Sequence, residues 1–233
     1  MLNASGNGDA ARFLQSERIK GMNDRARIAV LVSGGGTNLQ AILDAQTAGK
    51  LPHGQVALVV SNRSNAYALE RAKAAGVEAL TLTRKGCGGQ AGFEAALLAA
   101  LRERDIDLIV LAGFLAIFSK DFTDRWPRRM LNVHPSLIPA FCGEGYYGLR
   151  VHEAALEKGV KVTGATVHFV NEIPDGGRII LQKAVEVKDG DTPEILQRRV
   201  MEEAEWILLP QAAQMVSEQI KNEKEGKKHD RFS

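Results

Sequence analysis

The sequence predicts an α/β protein: an open, mostly parallel sheet with helices on both faces and an antiparallel edge toward the C-terminus. Three observations predict it. Short strands of nearly continuous apolar residues recur through the first half of the chain, which is how parallel strands buried on both faces read. Each is followed by a helical stretch, as parallel connections require. The later part holds instead two strand-like runs joined by one short loop.

Ile28, Val30, Leu31 and Val32 form the first strand run, after which Ser33-Gly34-Gly35-Gly36-Thr37-Asn38 turns the chain into a helix with Leu39, Ile42 and Leu43 on its apolar face. Val56 to Val60 is the second strand and Ala66 to Ala75 the second helix, closed by Gly76. Val77 to Leu82 follows as a strand, and a helix from Phe93 to Arg104 leads into the apolar strand Leu108 to Ala112. Leu131 to Val133 is the fifth strand. Thr163 to Val170 and Arg178 to Val187, joined by the loop Asn171 to Gly177, pair as an antiparallel edge. Thr192 as cap and Pro193 at the first helical position start a last helix with Leu196, Val200, Ile207 and Leu208 on its apolar face. Pro210 is expected to kink or interrupt it. The whole pattern is Rossmann-like, with a single domain expected over residues 27–220. Residues 1–26 read as a mobile extension, within which Met22 is a candidate start, and residues 221–233 as a frayed, charged tail.

Composition narrows the function classes. Apolar residues make up 45% of the chain and charged residues 25%, so neither wholesale disorder nor a fibrous sequence is in question. Thirty Lys and Arg against 28 acidic residues give a net charge of +2 with no basic stripe, so no nucleic-acid partner is expected. The longest apolar run, Leu108 to Phe118, is interrupted by Gly113 and falls well short of the roughly 20 residues of a membrane-spanning helix. Cys87 and Cys142 form no CxxC pair; a cytoplasmic location and no metal are expected.

Three places can carry chemistry. The loop Gly34-Gly35-Gly36-Thr37-Asn38 opens a helix, where backbone amides and the helix dipole hold an anion such as a phosphate. It lacks the third glycine of a dinucleotide fingerprint, having Leu39 there, and lacks the Walker Lys-Ser/Thr pair. A tight turn without a ligand is the competing reading. Asn132 and His134, two apart at a strand end, leave the same face of the sheet. An amide and an imidazole aimed at one atom are donors that an oxyanion needs in acyl transfer; a capped strand end before Pro135 is the alternative. Asp175, in Pro174-Asp175-Gly176-Gly177, is either a turn residue or, folded over that edge, a carboxylate that raises the histidine pKa and accepts a proton through water. His168 either supports that carboxylate or is a core histidine. His53, His152 and His229 support no comparable argument. Gly143 to Gly148, with Tyr146 and Tyr147, is either a flap near the site or a surface loop.

These residues resemble the folate-dependent formyltransferases over positions 27 to about 215. The similarity is carried in order by Ile28 to Ile42, Leu111-Ala112-Gly113-Phe114, Asn132-Val133-His134-Pro135-Ser136-Leu137-Ile138-Pro139, Gly164 to Val170 and Asp175-Gly176-Gly177. The resemblance implies transfer of a formyl group from 10-formyltetrahydrofolate, a co-substrate, to the amino group of glycinamide ribonucleotide in purine synthesis. It implies Asn132, His134 and Asp175 as catalytic residues and Gly35, Gly36, Thr37 and Asn38 at the substrate phosphate. Glu205 would meet the ribose, or else lie on a solvated helix face. Leu115, Ala116, Ile117, Phe118, Asn132 and Ile173 would line the folate pocket, with His168 in support. Two positions depart from the family pattern: Ala116 replaces a common basic residue, and Gln90 aligns with a folate-contacting arginine of many relatives. Arg84 or Lys85 is expected to serve the folate's acidic tail instead. Formyltransferases acting on methionyl-tRNA or amino sugars, a formyltetrahydrofolate hydrolase and a non-catalytic binding protein are the rivals; the formyltransferases among them and the hydrolase usually carry a further domain. The sequence leaves monomer and homodimer equally open.

Overall fold

The computed structural model describes residues 25–226; the segments 1–24 and 227–233, which hold nearly all of the expected extension and half of the expected tail, lie outside the described residues. Seven strands form one sheet: β1 (Ala26–Val32), β2 (Gly54–Ser61), β3 (Glu78–Thr81), β4 (Leu108–Leu111), β5 (Met130–His134), β6 (Val162–Phe169) and β7 (Ile179–Glu186). Their spatial order is β3-β2-β1-β4-β5-β6-β7. The first five are parallel, whereas β6 pairs antiparallel to β5, and β7 antiparallel to β6. The helices are α1 (Thr37–Thr47), α2 (Tyr67–Ala74), α3 (Gln90–Glu103), α4 (Lys120–Thr123), α5 (Leu149–Lys158), α6 (Pro193–Val200) and α7 (Trp206–Lys224).

The strands are apolar throughout because both faces are covered. In β1, Ile28, Val30 and Val32 pack with Leu39 of α1, Ala68 of α2 and Leu209 of α7, while Ala29 and Leu31 turn to Phe93, Leu97 and Leu101 of α3. The period-two alternation of a strand thus feeds two cores. Strand order reverses between β1 and β4, and at such a switch point the loops leaving the two carboxyl ends diverge and open a crevice. Here those loops are the glycine loop after β1 and the segment 112–119 after β4. They are tied across the crevice by the Leu115 amide, which donates to Ser33 Oγ at 2.9 Å.

The last helix differs from expectation in three respects. Thr192 does cap α6, accepting from the Ile195 amide, with Pro193 at the start. Between α6 and α7, however, Met201–Glu205 forms a π-helical turn, which adds one residue to the repeat. The buried stripe therefore continues through Ala204, Leu208 and Leu209, and Ile207 is 48% exposed instead of facing the core. Pro210 lies inside an unbroken α7; the irregularity falls upstream of it, in that π turn. Residues 221–224, expected to fray, complete α7, where Lys224 Nζ bonds Asp107 at 2.7 Å. Helix α5, which the sequence reading passed over, buries Val151, His152 and Ala155. Among the described residues no helix is long and apolar enough to cross a membrane.

Candidate active site

Pairing of β5 with β6 sets Asn132 opposite His168 and His134 opposite Thr166. The loop after β6 then returns over the strand ends. Gly177 permits this, since a Cβ there would stand 1.7 Å from the Phe169 carbonyl oxygen. The return carries Asp175, with φ of 55°, into the gap above Asn132 and His134.

The four side chains meet. Asn132 Nδ2 lies 3.1 Å from His168 Nε2 and donates to Asp175 Oδ1 at 3.4 Å. His134 Nδ1 faces Asp175 Oδ2 at 3.4 Å, and His168 Nε2 faces Asp175 Oδ1 at 3.5 Å. The outer ring atoms are oriented by backbone: His134 Nε2 donates to the Phe141 carbonyl at 2.8 Å, and His168 Nδ1 to the Phe169 carbonyl at 2.8 Å. With Nδ1 carrying that proton, His168 Nε2 is the acceptor for the Asn132 amide. Asp175 Oδ2 also accepts from the Gly143 amide at 2.9 Å. The 143–148 loop therefore adjoins the site, with Tyr146 edge-on to Phe141 at 6.3 Å.

The electrostatics set burial against the Asp175 carboxylate at His134. Burial pushes the His134 pKa down, and although the Asp175 carboxylate pulls it up, the net direction is downward; the carboxylate opposes desolvation without overcoming it. For Asp175, burial favours the neutral acid, but the adjoining His168 and His134 rings and the Gly143 amide together hold its pKa below the usual range. A carboxylate in contact with two imidazoles and an amide is an arrangement that can hold or move a proton and donate to a developing oxyanion.

The glycine loop lies at the same sheet edge. Gly36 caps α1 in the left-handed region with no side-chain cap and no acidic residue in the first turn, leaving the positive end of the helix open to an anion. Gly34 and Gly35 are exposed, and Arg71 Nε secures the Gly35 carbonyl at 2.8 Å. Asn38 Nδ2 donates to Glu205 Oε2 at 2.7 Å. Glu205 is thus not on a solvated face: it is 6% exposed at the end of the π turn, and burial raises its pKa against the opposing Asn38 bond. A groove of about 690 Å³ starts at Thr37 and runs between α1 and α7 past Ala41, Trp206 and Pro210.

In the 112–119 segment Leu115 and Ile117 are 54% and 60% exposed, as is Ile173 at 59%, while Phe118 is buried and stacks on Phe114 and Phe122. Ala116 packs against the second core. Arg84 Nη2 and Gln90 Nε2 both donate to the Ile117 carbonyl, at 3.0 and 3.1 Å. Sequence reasoning missed Ser33, Glu94, Ser119 and the Phe141 and Gly143 backbone groups. Of these, only Ser119, a cap residue before Lys120-Asp121, carried a local signal.

The sequence pattern of the formyl transferase family matches residues 26–212. The chain belongs to that family. It is 44% identical over 193 residues to the human trifunctional purine biosynthetic protein adenosine-3, covering 83% of this chain but 18% of that protein; it spans about a fifth of the length of the trifunctional relatives. It is 42% identical over 177 residues to phosphoribosylglycinamide formyltransferase of Haemophilus influenzae, covering 76% of this chain and 81% of that one. Among solved structures, glycinamide ribonucleotide transformylase 1 from Symbiobacterium toebii superposes with a TM-score of 0.78 at 47% identity, covering 84% of this chain and 89% of that chain. In this formyl transferase the antiparallel β6–β7 edge and its return loop are what bring Asp175 to the strand ends.

Proposed function

We propose that the protein is a cytosolic phosphoribosylglycinamide formyltransferase, moving the formyl group of 10-formyltetrahydrofolate to the amino group of glycinamide ribonucleotide. The observation that supports this best is the meeting of Asn132, His134 and Asp175 at the sheet edge where an open helix N-terminus offers a phosphate site. Phosphate on Gly35, Gly36, Thr37 and Asn38, with the ribose toward Glu205, directs the glycinamide amine to Asn132. Folate enters from the side of Leu115 to Phe118 and Ile173, where the exposed side chains of Leu115, Ile117 and Ile173 suit a pterin ring.

The amine nitrogen attacks the formyl carbon, and the carbonyl electrons move to oxygen. That oxyanion takes the position facing Asn132 Nδ2 that Asp175 Oδ1 holds loosely, and it is stabilised by the amide and by the His134 ring. His134 must be protonated to do so. Burial opposes this and Asp175 favours it, so the negative charge developing beside the ring completes the stabilisation. Asp175, through a water, receives the proton lost by the amine. The oxyanion electrons then re-form the carbonyl and break the bond to the folate nitrogen, which takes the proton passed on from Asp175 through the water and leaves as tetrahydrofolate.

The test is to follow deformylation of 10-formyltetrahydrofolate by absorbance with and without glycinamide ribonucleotide, confirming the formylated product by mass. Release that requires the ribonucleotide supports the reading. Release without it indicates a hydrolase, and no release under either condition overturns it.

A further inference from the structure

Residues 112–119 form neither helix nor strand, yet their backbone is held from both ends and from the middle. Phe114 and Phe118 anchor the segment in an aromatic column with Phe93 and Phe122. At its far end stands Glu94 of α3, 8% exposed. Glu94 Oε1 accepts from the Ser119 amide at 2.7 Å and Oε2 from the Ser119 hydroxyl at 2.5 Å. Its Oε1 accepts as well from Gln90 Nε2, and that same amide nitrogen reaches the Ile117 carbonyl. Ser119 Oγ in turn caps α4 at the Phe122 amide. One buried carboxylate thereby connects α3, the end of the segment and, through Gln90, its middle.

Packing alone does not explain this. A cap by Ser119 starts α4 without Glu94, and the phenylalanines fill the core without it, whereas sinking a carboxylate here carries a desolvation cost. Burial opposes its ionisation, but the Ser119 and Gln90 donors, with the Arg84 charge nearby, keep its pKa below the usual value. What the connection fixes is the path between Leu115 and Phe118, which carries the exposed side chains of Leu115 and Ile117. Gln90 is turned inward to Glu94 and the Ile117 carbonyl.

We infer that Glu94 is a positioning residue for folate: through Ser119 and Gln90 it sets the shape of residues 115–118 and thereby folate affinity, without touching the reacting atoms. This rests on the formyltransferase reading of that segment. The test compares the full chain with Glu94→Ala and Glu94→Gln by steady-state kinetics, and by equilibrium dialysis with 5-formyltetrahydrofolate, a non-reacting folate. Glu94→Ala is expected to raise the KM for 10-formyltetrahydrofolate about tenfold, with kcat and the KM for glycinamide ribonucleotide within about threefold of wild type. Glu94→Gln keeps an acceptor for the Ser119 amide and is expected to fall between them, which also serves if the alanine variant does not fold. A folate KM unchanged in both variants, or an equal rise in both KM values, overturns the inference. Wild type that binds 5-formyltetrahydrofolate while the variants bind it equally well refutes the role of Glu94 alone. Wild type that does not bind it refutes the functional reading as well.

Discussion

Asp175 Oδ2 lies 3.4 Å from His134 Nδ1, with the His134 side chain 5% and the Asp175 side chain 12% exposed. So little water between them leaves the carboxylate as the principal group favouring the imidazolium, against burial, which disfavours it. Asp175→Asn removes that support while keeping a residue type that tolerates φ of 55°. Turnover is expected to fall about 100-fold or more. Because the His134 pKa drops further, the basic limb of the kcat–pH profile should move to lower pH. A profile in the wild-type position would show that Asp175 does not act through His134.

Asn132→Ala takes away the amide that faces the site from β5. Loss of one such donor costs about 100- to 1000-fold in kcat, and the strand, paired on both sides, should keep its fold. Near-normal kcat in a variant with native circular dichroism would exclude Asn132 as an oxyanion donor.

Gly36→Ala tests the phosphate loop. At φ of 72° the new side chain would be strained, and its Cβ would stand 2.6 Å from Ala68 Cβ. A loss of about 2 kcal/mol in stability is expected from the left-handed backbone and the clash. The accompanying shift of the loop should raise the KM for the ribonucleotide more than that for folate. An equal effect on both would remove the loop from the phosphate site.

Arg84→Ala separates two roles for one side chain. The sequence suggested that Arg84 serves the folate's acidic tail; the structure commits its Nη2 to the Ile117 carbonyl. Loss of that bond alone should weaken folate binding by about three- to tenfold, and equally for folates with one or several glutamates. A loss that grows with glutamate number would assign Arg84 to the tail instead.

Much of the sheet is legible in the sequence because alternation and apolar runs are local signals. Ile28 to Val32 and Leu108 to Leu111 reveal themselves by what they bury. Asn132 and His134 were visible for the same reason, since two residues apart on a strand means one face. What was not legible depends on register and on return paths. Asp175 reaches His134 through the antiparallel pairing of β6 with β5 and the close pass at Gly177, neither of which a local pattern specifies. Glu94 meets Ser119 across 25 residues of chain. Ile207 was misplaced because a single residue inserted as a π turn rotates every position after it.

His152 bears on stability instead of turnover. It is 1% exposed, neither ring nitrogen has a hydrogen-bond partner among the described residues, and burial, assisted by the His134 ring, lowers its pKa to about 4. The sign follows from where protons bind: below pH 6.5 the unfolded chain takes one up, while the folded chain does so only near pH 4, so folding weakens as pH falls through that window. The shift corresponds to about 3 kcal/mol once pH is below both values. Replacing the ring by an apolar side chain removes both the unpaired nitrogens and the titration. His152→Leu is therefore expected to match or exceed wild-type Tm at pH 7. Between pH 7 and pH 4.5 it should lose about 5 °C less than wild type. A variant whose Tm falls with acid as steeply as that of wild type would show that His152 is not the group being protonated.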